Sequence, residues 1–355
     1  MKLKLSILIL ILIYILNLYS ERNSARYPFV VYTEDTSFMI GGFNLVTWRD
    51  STFTDSQSPD ILITNGIYSF KNQFLIFTQY SYRFRHSSFG IVPFVKYEKW
   101  PANFYQLGNH SKFESEEKIL LEGIDFRFHL TNYFYDKLSL KSGLLIENYS
   151  LRDFNQSSFF VEEQILGVDG GLATGISLNL EYDTRSNSQY PLNGNYLSLE
   201  NQFYFKVFNS DYSFSNHSLI YKRFDDLGKN FILANQVKGS AIFNEAPFYK
   251  LNKLGEVLRA YNENRFIDDY LVSFKSELRN FPFTDGFKQR FGWVAFIETG
   301  QVSDSYSAIK FDNLKFSMGL GIRFALIPQE KMNLRIDIAH GEDGINVRFI
   351  AQEDF

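Results

Sequence analysis

The sequence contains no cysteine in its 355 residues, so it can form neither a disulfide framework nor a thiolate metal site. Its five histidines are scattered, and no two stand at the spacing of metal ligands. The formal net charge is only -4 and the basic residues are spread along the chain, which argues against nucleic acid as a partner. We therefore predict no metal and no cofactor.

Long apolar runs are missing after residue 20, so no later segment can form a transmembrane helix. Before it, Lys2 and Lys4 precede an apolar run from Leu5 to Leu18. This pattern is typical of a secretory signal peptide over residues 1–20, and a helical anchor is the alternative, although the run is short for one. An exported chain without further helices is either secreted or crosses a membrane as strands.

Aromatic residues are abundant, with 38 Phe and 22 Tyr, and many short segments alternate apolar and polar residues. In one such segment Leu334, Ile336 and Ile338 share a face, while Arg335 and Asp337 share the other, because strand side chains alternate with period two. In a soluble sandwich the apolar face would meet a core, whereas in a membrane barrel it meets lipid. The aromatic content favours the barrel, because such residues form interfacial girdles.

Loop lengths predict the number of strands. Membrane barrels have both termini and short turns on the periplasmic side, and long loops outside. Counting back from Phe355 makes residues 244–268 the sixth outer loop. The obvious strands from Ser37 onward are odd in number, so we predict one more at 104–110, after a turn at 101–103. The expected fold is an all-β antiparallel barrel of about sixteen strands over residues 37–355, with 21–36 a short periplasmic lead-in.

Several charged side chains fall on the inner face of this barrel. They form a predicted lumen charge cluster of Lys275, Glu277, Arg279, Arg323, Arg335 and Asp337, with Glu298 on the same face. Acids and bases on adjacent strands can neutralise one another and accept a loop folded inward. An ordinary water-filled lumen is the alternative that this pattern leaves open.

Catalytic candidates are poor. His86-Ser87-Ser88 offers a serine beside a histidine, as an outer-membrane lipase would need, but its place between two strands predicts a turn. We expect no catalytic residue and no enzymatic activity.

Six motifs occur in order along the chain: Asp183-Thr184-Arg185 with Pro191 and Gly194, Leu258-Arg259-Ala260-Tyr261, Glu277-Leu278-Arg279, Phe296-Ile297-Glu298-Thr299-Gly300, Gly319-Leu320-Gly321-Ile322-Arg323, and Leu334-Arg335-Ile336-Asp337. Together they resemble the barrel of the BamA/TamA outer-membrane assembly superfamily, also called the bacterial surface antigen family. Segments 32–36 and 104–109 are similar to parts of members that consist of a barrel alone. The resemblance implies a periplasmic turn built on Asp183, Arg185, Pro191 and Gly194.

The resemblance also implies a loop-six lock, in which Arg259 reaches back into the barrel, pairs with Glu298 and lies against Phe296. The expected lock residues are Arg259, Tyr261, Phe296, Glu298 and Gly300. A guanidinium suits this site because it can grip a carboxylate and stack on a ring. Ala260 stands where the family usually has glycine, so a loop tip that needs a positive φ would be strained there.

The end of the chain carries the expected C-terminal assembly signal, Phe355. We expect Phe355, Phe349, Val347 and Ile345 on the lipid face of the last strand. Glu353 interrupts this face near the periplasmic edge, where a charge costs about 1 kcal/mol or less.

The function implied by the resemblance is the insertion or translocation of proteins or lipids at the outer membrane, through a seam between the first and last strands. Gly41 and Gly42 are compatible with such a seam. The implied partners are outer-membrane lipid, unfolded outer-membrane protein clients and assembly machinery. We expect this chain to be a barrel without the polypeptide-transport-associated (POTRA) domains that receive clients, which favours the alternative of a passive pore or surface antigen with the same fold.

Overall fold

The computed structural model describes residues 21–33, 37–49, 60–84, 87–135, 137–154, 158–327, 332–351, 353 and 355. Four features of the sequence lie wholly or partly outside these residues: the predicted signal peptide at 1–20, positions 34–36 of a family-like segment, most of the predicted loop at 50–60, and His86.

Sixteen strands form one antiparallel sheet whose order follows the chain, so the predicted fold class and strand number are confirmed. The strands are β1 (Glu21–Thr33), β2 (Ser37–Arg49), β3 (Asp60–Ser69), β4 (Phe74–Arg83), β5 (Phe89–Phe104), β6 (Glu117–Tyr135), β7 (Leu138–Arg152), β8 (Gly171–Asp183), β9 (Gly194–Tyr204), β10 (Phe214–Gly228), β11 (Phe231–Phe243), β14 (Tyr270–Asn280), β15 (Phe291–Ser303), β16 (Lys315–Ile327), β17 (Met332–Gly341) and β18 (Gly344–Ala351). Between β11 and β14, the short strands β12 (Asn252–Lys253) and β13 (Ile267–Asp268) pair with each other.

Helices are short. They comprise α1 (Phe159–Glu162), α2 (Leu254–Val257) and the 3-10 turns Phe113–Ser115, Lys206–Phe208, Phe248–Lys250, Phe287–Arg290, Tyr306–Ala308 and Phe311–Asn313. Within the described ranges, no helix combines the length and the apolar character that a membrane crossing requires.

The sheet curves until its two ends meet. Leu45 of β2 is fully buried, and the hydrophobic residues that cover it include Phe324 of β16 and Leu334 of β17. β2 and β17 stand second and fifteenth in the strand order, so their contact shows that the sheet curls round until its first and last strands lie close together. A long loop enters the enclosed space: its Phe248 contacts Phe104 of β5, with ring centroids 5.0 Å apart.

The two faces of the wall differ as the alternating pattern predicts. On β16, Met318, Leu320 and Ile322 are 53%, 66% and 60% exposed, while Ser317 and Arg323 are fully buried. The same apolar outer face continues on neighbouring strands through Ile297, Ile336, Ile338, Ile345 and Val347. Apolar side chains therefore point away from the lumen, and charged ones point into it.

The first strand is not where the sequence predicted it. Residues 21–33 form β1, which pairs with β2 from Glu21 opposite Arg49 to Thr33 opposite Ser37, so the lead-in predicted at 21–36 is wrong. The segment contains Pro28, which lies opposite Gly42. Proline cannot donate to a hydrogen-bonded ladder and is confined to edge strands, and β1 is the first strand of the sheet order.

The extra strand predicted at 104–110 is also wrong. β5 continues through Pro101, which lies opposite Leu120, and ends at Phe104 opposite Glu117. The Pro-Ala-Asn composition of 101–103 is typical of a turn, but pairing with β6 along the whole of β5 overrides this local preference. The two errors cancel in the strand count, and they invert the direction predicted for the strands between 37 and 97.

The two rims of the barrel have different connections. One rim, the loop end, carries 105–116, 153–170, 205–213, 244–269 and 304–314, and the other, the turn end, carries 184–193, 229–230 and 281–290. Two shorter connections at this end, 34–36 and 70–73, precede these in the chain. Residues 244–269, called loop six below, are therefore its sixth connection.

Leu320→Arg would place a guanidinium on the outer face near the middle of β16. If acyl chains cover this face, the variant should lose about 2–4 kcal/mol of folding free energy in lipid vesicles. Val207→Arg, at an 83% exposed position of the loop end, is the control and should change by less than about 1 kcal/mol. Urea titration followed by tryptophan fluorescence measures both. Equal losses in the two variants would contradict a lipid-facing belt.

Candidate functional site

Loop six folds back into the barrel as a short hairpin. β12 and β13 form its stem, where the Leu254 N–H donates to the Phe266 carbonyl at 3.0 Å. α2 follows β12 directly and has only four residues, too few for a helix to be stable alone. Burial holds it in place, since Leu254, Val257 and Leu258 belong to a core cluster with the inner wall. This packing brings Arg259 to the strand wall.

Arg259 is fully buried and is held by three carboxylates. Its backbone N–H and its Nε each donate to Glu298 at 2.7 Å, and Nη1 donates to Oδ2 of Asp337 at 3.1 Å. Nη2 is ion-paired with Glu277. The guanidinium carbon lies 3.5 Å from the centre of the Phe296 ring. The structure thus brings Arg259 onto Glu298 and Phe296, as the resemblance implied, and adds Glu277 and Asp337.

The lumen charge cluster and the lock residues form one network. Asp337 also accepts from Arg323 at 2.6 Å and from Arg335 at 3.1 Å, while Glu277 accepts from Arg279 at 2.7 Å. The cations paired in it are Arg259, Arg279, Arg323 and Arg335, and its carboxylates are Glu277, Glu298, Asp337 and Glu353; Lys275 is buried beside it, 5.8 Å from the Phe355 ring centre. The positive and negative groups of the network are nearly equal in number. This balance favours their burial, because an ion removed from water is stable only when it is paired. The alternative of an open, water-filled lumen does not hold along this wall.

Further polar groups position the loop tip. Ser317 donates to Glu298 at 2.9 Å and accepts from the Ala260 N–H at 3.2 Å. Arg348 donates to the carbonyls of Leu258, at 3.0 Å, and Tyr261, at 2.6 Å. Sequence reasoning missed Ser317 and Arg348, although period-two alternation along β16 and β18 places both on the inner face.

There is no room for a side chain at Gly300, one of the predicted lock residues. A Cβ there would lie 2.7 Å from the Val272 carbonyl oxygen and 2.9 Å from a methyl of Leu254, so a side chain would push α2 off the wall. The strain expected at Ala260 is not found: the left-handed residues of loop six are Asn244, with φ 64°, and Phe266, with φ 58°.

Tyr261 lies beyond Arg259 at the loop tip. Its hydroxyl donates to the Phe316 carbonyl at 2.8 Å. Burial raises the pKa of Tyr261 to about 12, so the phenol remains a donor at physiological pH.

The loop end of the barrel is tied together by Arg265. It donates to Asp343 at 2.8 Å and to Ser111 at 2.6 Å, and its guanidinium lies 3.8 Å from the Phe266 ring centre and 4.8 Å from that of Tyr105. These contacts join loop six to the 105–116 loop and to the turn between β17 and β18. The family-like segment 104–109 is therefore part of the cap over the lumen.

The cap also holds an acidic group. Burial, with the nearby charges of Asp269 and Asp304, raises the pKa of Asp268 to about 6. The hairpin stem of loop six therefore gains a negative charge as the pH rises through this value.

Loop six has a second anchor on another part of the wall. Lys250 is ion-paired with Glu147 of β7, which also accepts from the Tyr204 hydroxyl at 2.7 Å. On the neighbouring strand, Arg127 pairs with Asp125 at 2.6 Å. Between this wall and the underside of loop six lies a cavity of about 1100 Å³ with a charged lining. Loop six thus spans the lumen between two ion networks.

The predicted periplasmic turn lies at the turn end. Arg185 grips Asp183 through Nε at 2.9 Å and Nη2 at 2.7 Å, and Gly194 has φ 105°. Pro191 is buried. Tyr190 beside it reaches into the lumen, 5.9 Å from the Arg279 guanidinium. This turn therefore meets the lumen charge cluster.

The prediction that Phe355 faces lipid is wrong. Its side chain is 6% exposed and lies inside the barrel, where Nη2 of Arg279 donates to its carbonyl oxygen at 2.8 Å. Glu353 likewise points inward and pairs with Arg323 at 2.8 Å. β18 ends at Ala351, so strand alternation no longer governs these two side chains. Ile345 and Val347, within β18, do face outward.

No group of three histidine, acidic or cysteine side chains in the described part of the chain can hold a metal ion. The contacts that the site shows are ion pairs, hydrogen bonds and the stacking of Arg259 on Phe296.

Arg259→Ala would leave three buried carboxylates without their shared cation. We expect a loss of about 3–5 kcal/mol of folding free energy and proteolysis within loop six. Arg259→Lys keeps the charge without the planar guanidinium, so its folding free energy should lie between those of wild type and Arg259→Ala. Lys310→Ala, at an exposed lysine of the loop end, is the control. Urea titration and limited trypsin digestion are the measurements, and wild-type behaviour of Arg259→Ala would show that the lock is wrong.

Gly321→Ala tests the ion network from the strand side. A Cβ there would overlap Oδ1 of Asp337 and come within 2.5 Å of Nη1 of Arg323, so it would push this ion pair apart. We expect a loss of about 1–3 kcal/mol in urea titration. Gly239→Ala is the matched control, because nothing lies within 4 Å of its added Cβ. A loss no larger at Gly321 than at Gly239 would contradict the tight fit.

Two solved structures align with most of this chain. The chain superposes on the crystal structure of BamA from Haemophilus ducreyi lacking POTRA domains 1-3 with a TM-score of 0.58 and 13% sequence identity, covering 93% of this chain and 68% of that one. This likeness shows the fold alone. An alignment with Pseudomonas aeruginosa OccK10 (OpdN) has a TM-score of 0.36 and 10% identity, covering 94% and 97% of the two chains. That score is too low to carry an argument.

No curated protein matches the sequence. Residues 68–349, well over half of the chain, match the model of the Omp85 superfamily domain. The matched range runs from the end of β3 into β18. The chain is an outer-membrane β-barrel that belongs to the Omp85 superfamily.

Proposed function

We propose that this barrel inserts or translocates proteins, or lipids, at the outer membrane. The observation that carries the proposal is the junction between the two ends of the sheet, called the seam below. There Leu45 is buried against Phe324 and Leu334. Apolar contacts are non-directional, so they can part and re-form more readily than a ladder of hydrogen bonds. A seam of this kind suits sideways transfer of a polypeptide into the bilayer.

The position of loop six inside the barrel supports the same proposal. Loop six and the ion network occupy the space beside β14 to β17, where an axial path would otherwise run. In the proposed mechanism Arg259 keeps this wall rigid while the opposite side of the seam moves. A fixed wall gives an incoming strand a constant template, because strand register depends on a stable partner.

The proposal includes a delivery route and partners. Residues 1–20 would direct export, and unfolded outer-membrane protein clients, outer-membrane lipid and assembly machinery would be the partners. The exposed apolar belt, with Leu320 at 66%, suits contact with lipid on all sides of the seam.

A passive pore is the second candidate, favoured by the cavity of about 1100 Å³ beneath loop six. Its charged lining includes Lys96, Glu98, Arg127, Glu147, Lys238 and Lys250. A polar cavity of this size can hold water and small solutes.

Crosslinking the seam separates the two candidates. The chain has no cysteine, so Leu45→Cys with Leu334→Cys supplies the only two thiols for a short, cleavable bismaleimide. In lipid vesicles we expect the uncrosslinked variant to accelerate the folding of a denatured client barrel. Crosslinking should reduce the rate to that of empty vesicles, and cleavage of the linker should restore it.

The control crosslink joins Leu320→Cys to Ile338→Cys, which face each other across β16 and β17 on the exposed outer face and do not belong to the seam. It should leave client folding unchanged. Acceleration that survives the seam crosslink would rule out transfer through the seam. Steady solute conductance without any acceleration of client folding would favour the passive pore.

A further inference from the structure

The segment after β18 crosses the lumen. The Glu353 carboxylate accepts hydrogen bonds from two nearby strands. Arg323 of β16 donates to it at 2.8 Å, and Asn333 of β17 donates at 2.9 Å. Phe355, two residues later, lies against Phe224 of β10 and Ala234 of β11. In the sheet order β10 is six strands away from β18. Phe355 therefore reaches a wall that its own strand does not touch.

The site that receives Phe355 is built from three strands. Phe224 and Ala234 are 2% and 0% exposed and provide an apolar floor, with the two phenylalanine rings 6.3 Å apart. Arg279 of β14 places its guanidinium 5.0 Å from the Phe355 ring and donates to the Phe355 carbonyl oxygen at 2.8 Å. The site thus recognises a ring and a backbone oxygen together.

A second contact point fixes the spacing of the occupant. Arg323 and Asn333 both donate to the Glu353 carboxylate, whose side chain is 2% exposed. An acidic residue and an aromatic residue two positions later are therefore bound by different groups, the first by β16 and β17 and the second by β10, β11 and β14. Two points of attachment favour an extended peptide, because a compact one could not reach both.

We propose that Phe224, Ala234 and Arg279 form a binding site for an aromatic residue of an extended peptide, which the chain's own Phe355 fills in this structure. The ligand class is a peptide with an acidic residue two positions before the aromatic one. Phe355 acts as an internal competitor, so the site opens to another peptide only when this segment leaves it. The inference does not rest on insertion activity.

The probe is an acetylated peptide with the sequence of residues 351–355, in which 4-fluorophenylalanine replaces the phenylalanine. Fluorine NMR measures its binding to the full chain refolded in detergent micelles. Phe355→Ala empties the site and should bind the peptide, while wild type should bind it at least tenfold more weakly because Phe355 competes. If Phe355→Ala does not refold, Phe355→Leu takes its place, since it keeps apolar bulk without the ring.

The double variant Phe355→Ala/Phe224→Ala removes the floor of the site and should bind at least tenfold more weakly than Phe355→Ala. The matched control is Phe355→Ala/Phe287→Ala, which removes a phenylalanine that is 68% exposed at the turn end and should bind like the single variant. Equal binding to the two double variants, equal binding to wild type and Phe355→Ala, or no binding to the emptied site would each overturn the proposal.

Discussion

The buried guanidinium of Arg259 links loop six to three strands of the barrel wall. Arg259 is delivered by a loop and is held by carboxylates from β14, β15 and β17, all fully buried. Ions in such a place are stable only together, because removing one partner leaves the others without charge compensation. Loop six therefore depends on the correct pairing of these strands, and the strands tolerate their inner acids because loop six is present.

Period-two alternation predicts much of the fold. It places Arg323, Arg335 and Asp337 inside and Leu320 outside, and the structure agrees. The rule holds only within a strand, which is why it misplaces Phe355 beyond the end of β18. Local composition misled at Pro101, because pairing with a neighbouring strand outweighs the turn preference of proline.

In the candidate site, too, the residues on strands can be predicted from the sequence and the residues in loops cannot. Residues on strands, such as Glu277 and Ser317, follow from the alternation once the register is known. Loop residues have no period, so the sequence offers no sign that Lys250 meets Glu147 or that Arg265 meets Asp343. These pairs are separated by 103 and 78 positions and depend on how the loop folds inside the barrel.

Two of the ion-paired attachments of loop six, one on each side of the lumen, have a mechanical consequence. Lys250 joins it to β7 and Arg259 joins it to β15, six strands apart around the wall. A tether fixed at both ends cannot swing about either one, so release of a single end gives little freedom to the rest. Departure of loop six from the lumen is therefore expected to be concerted, with few half-released conformers populated.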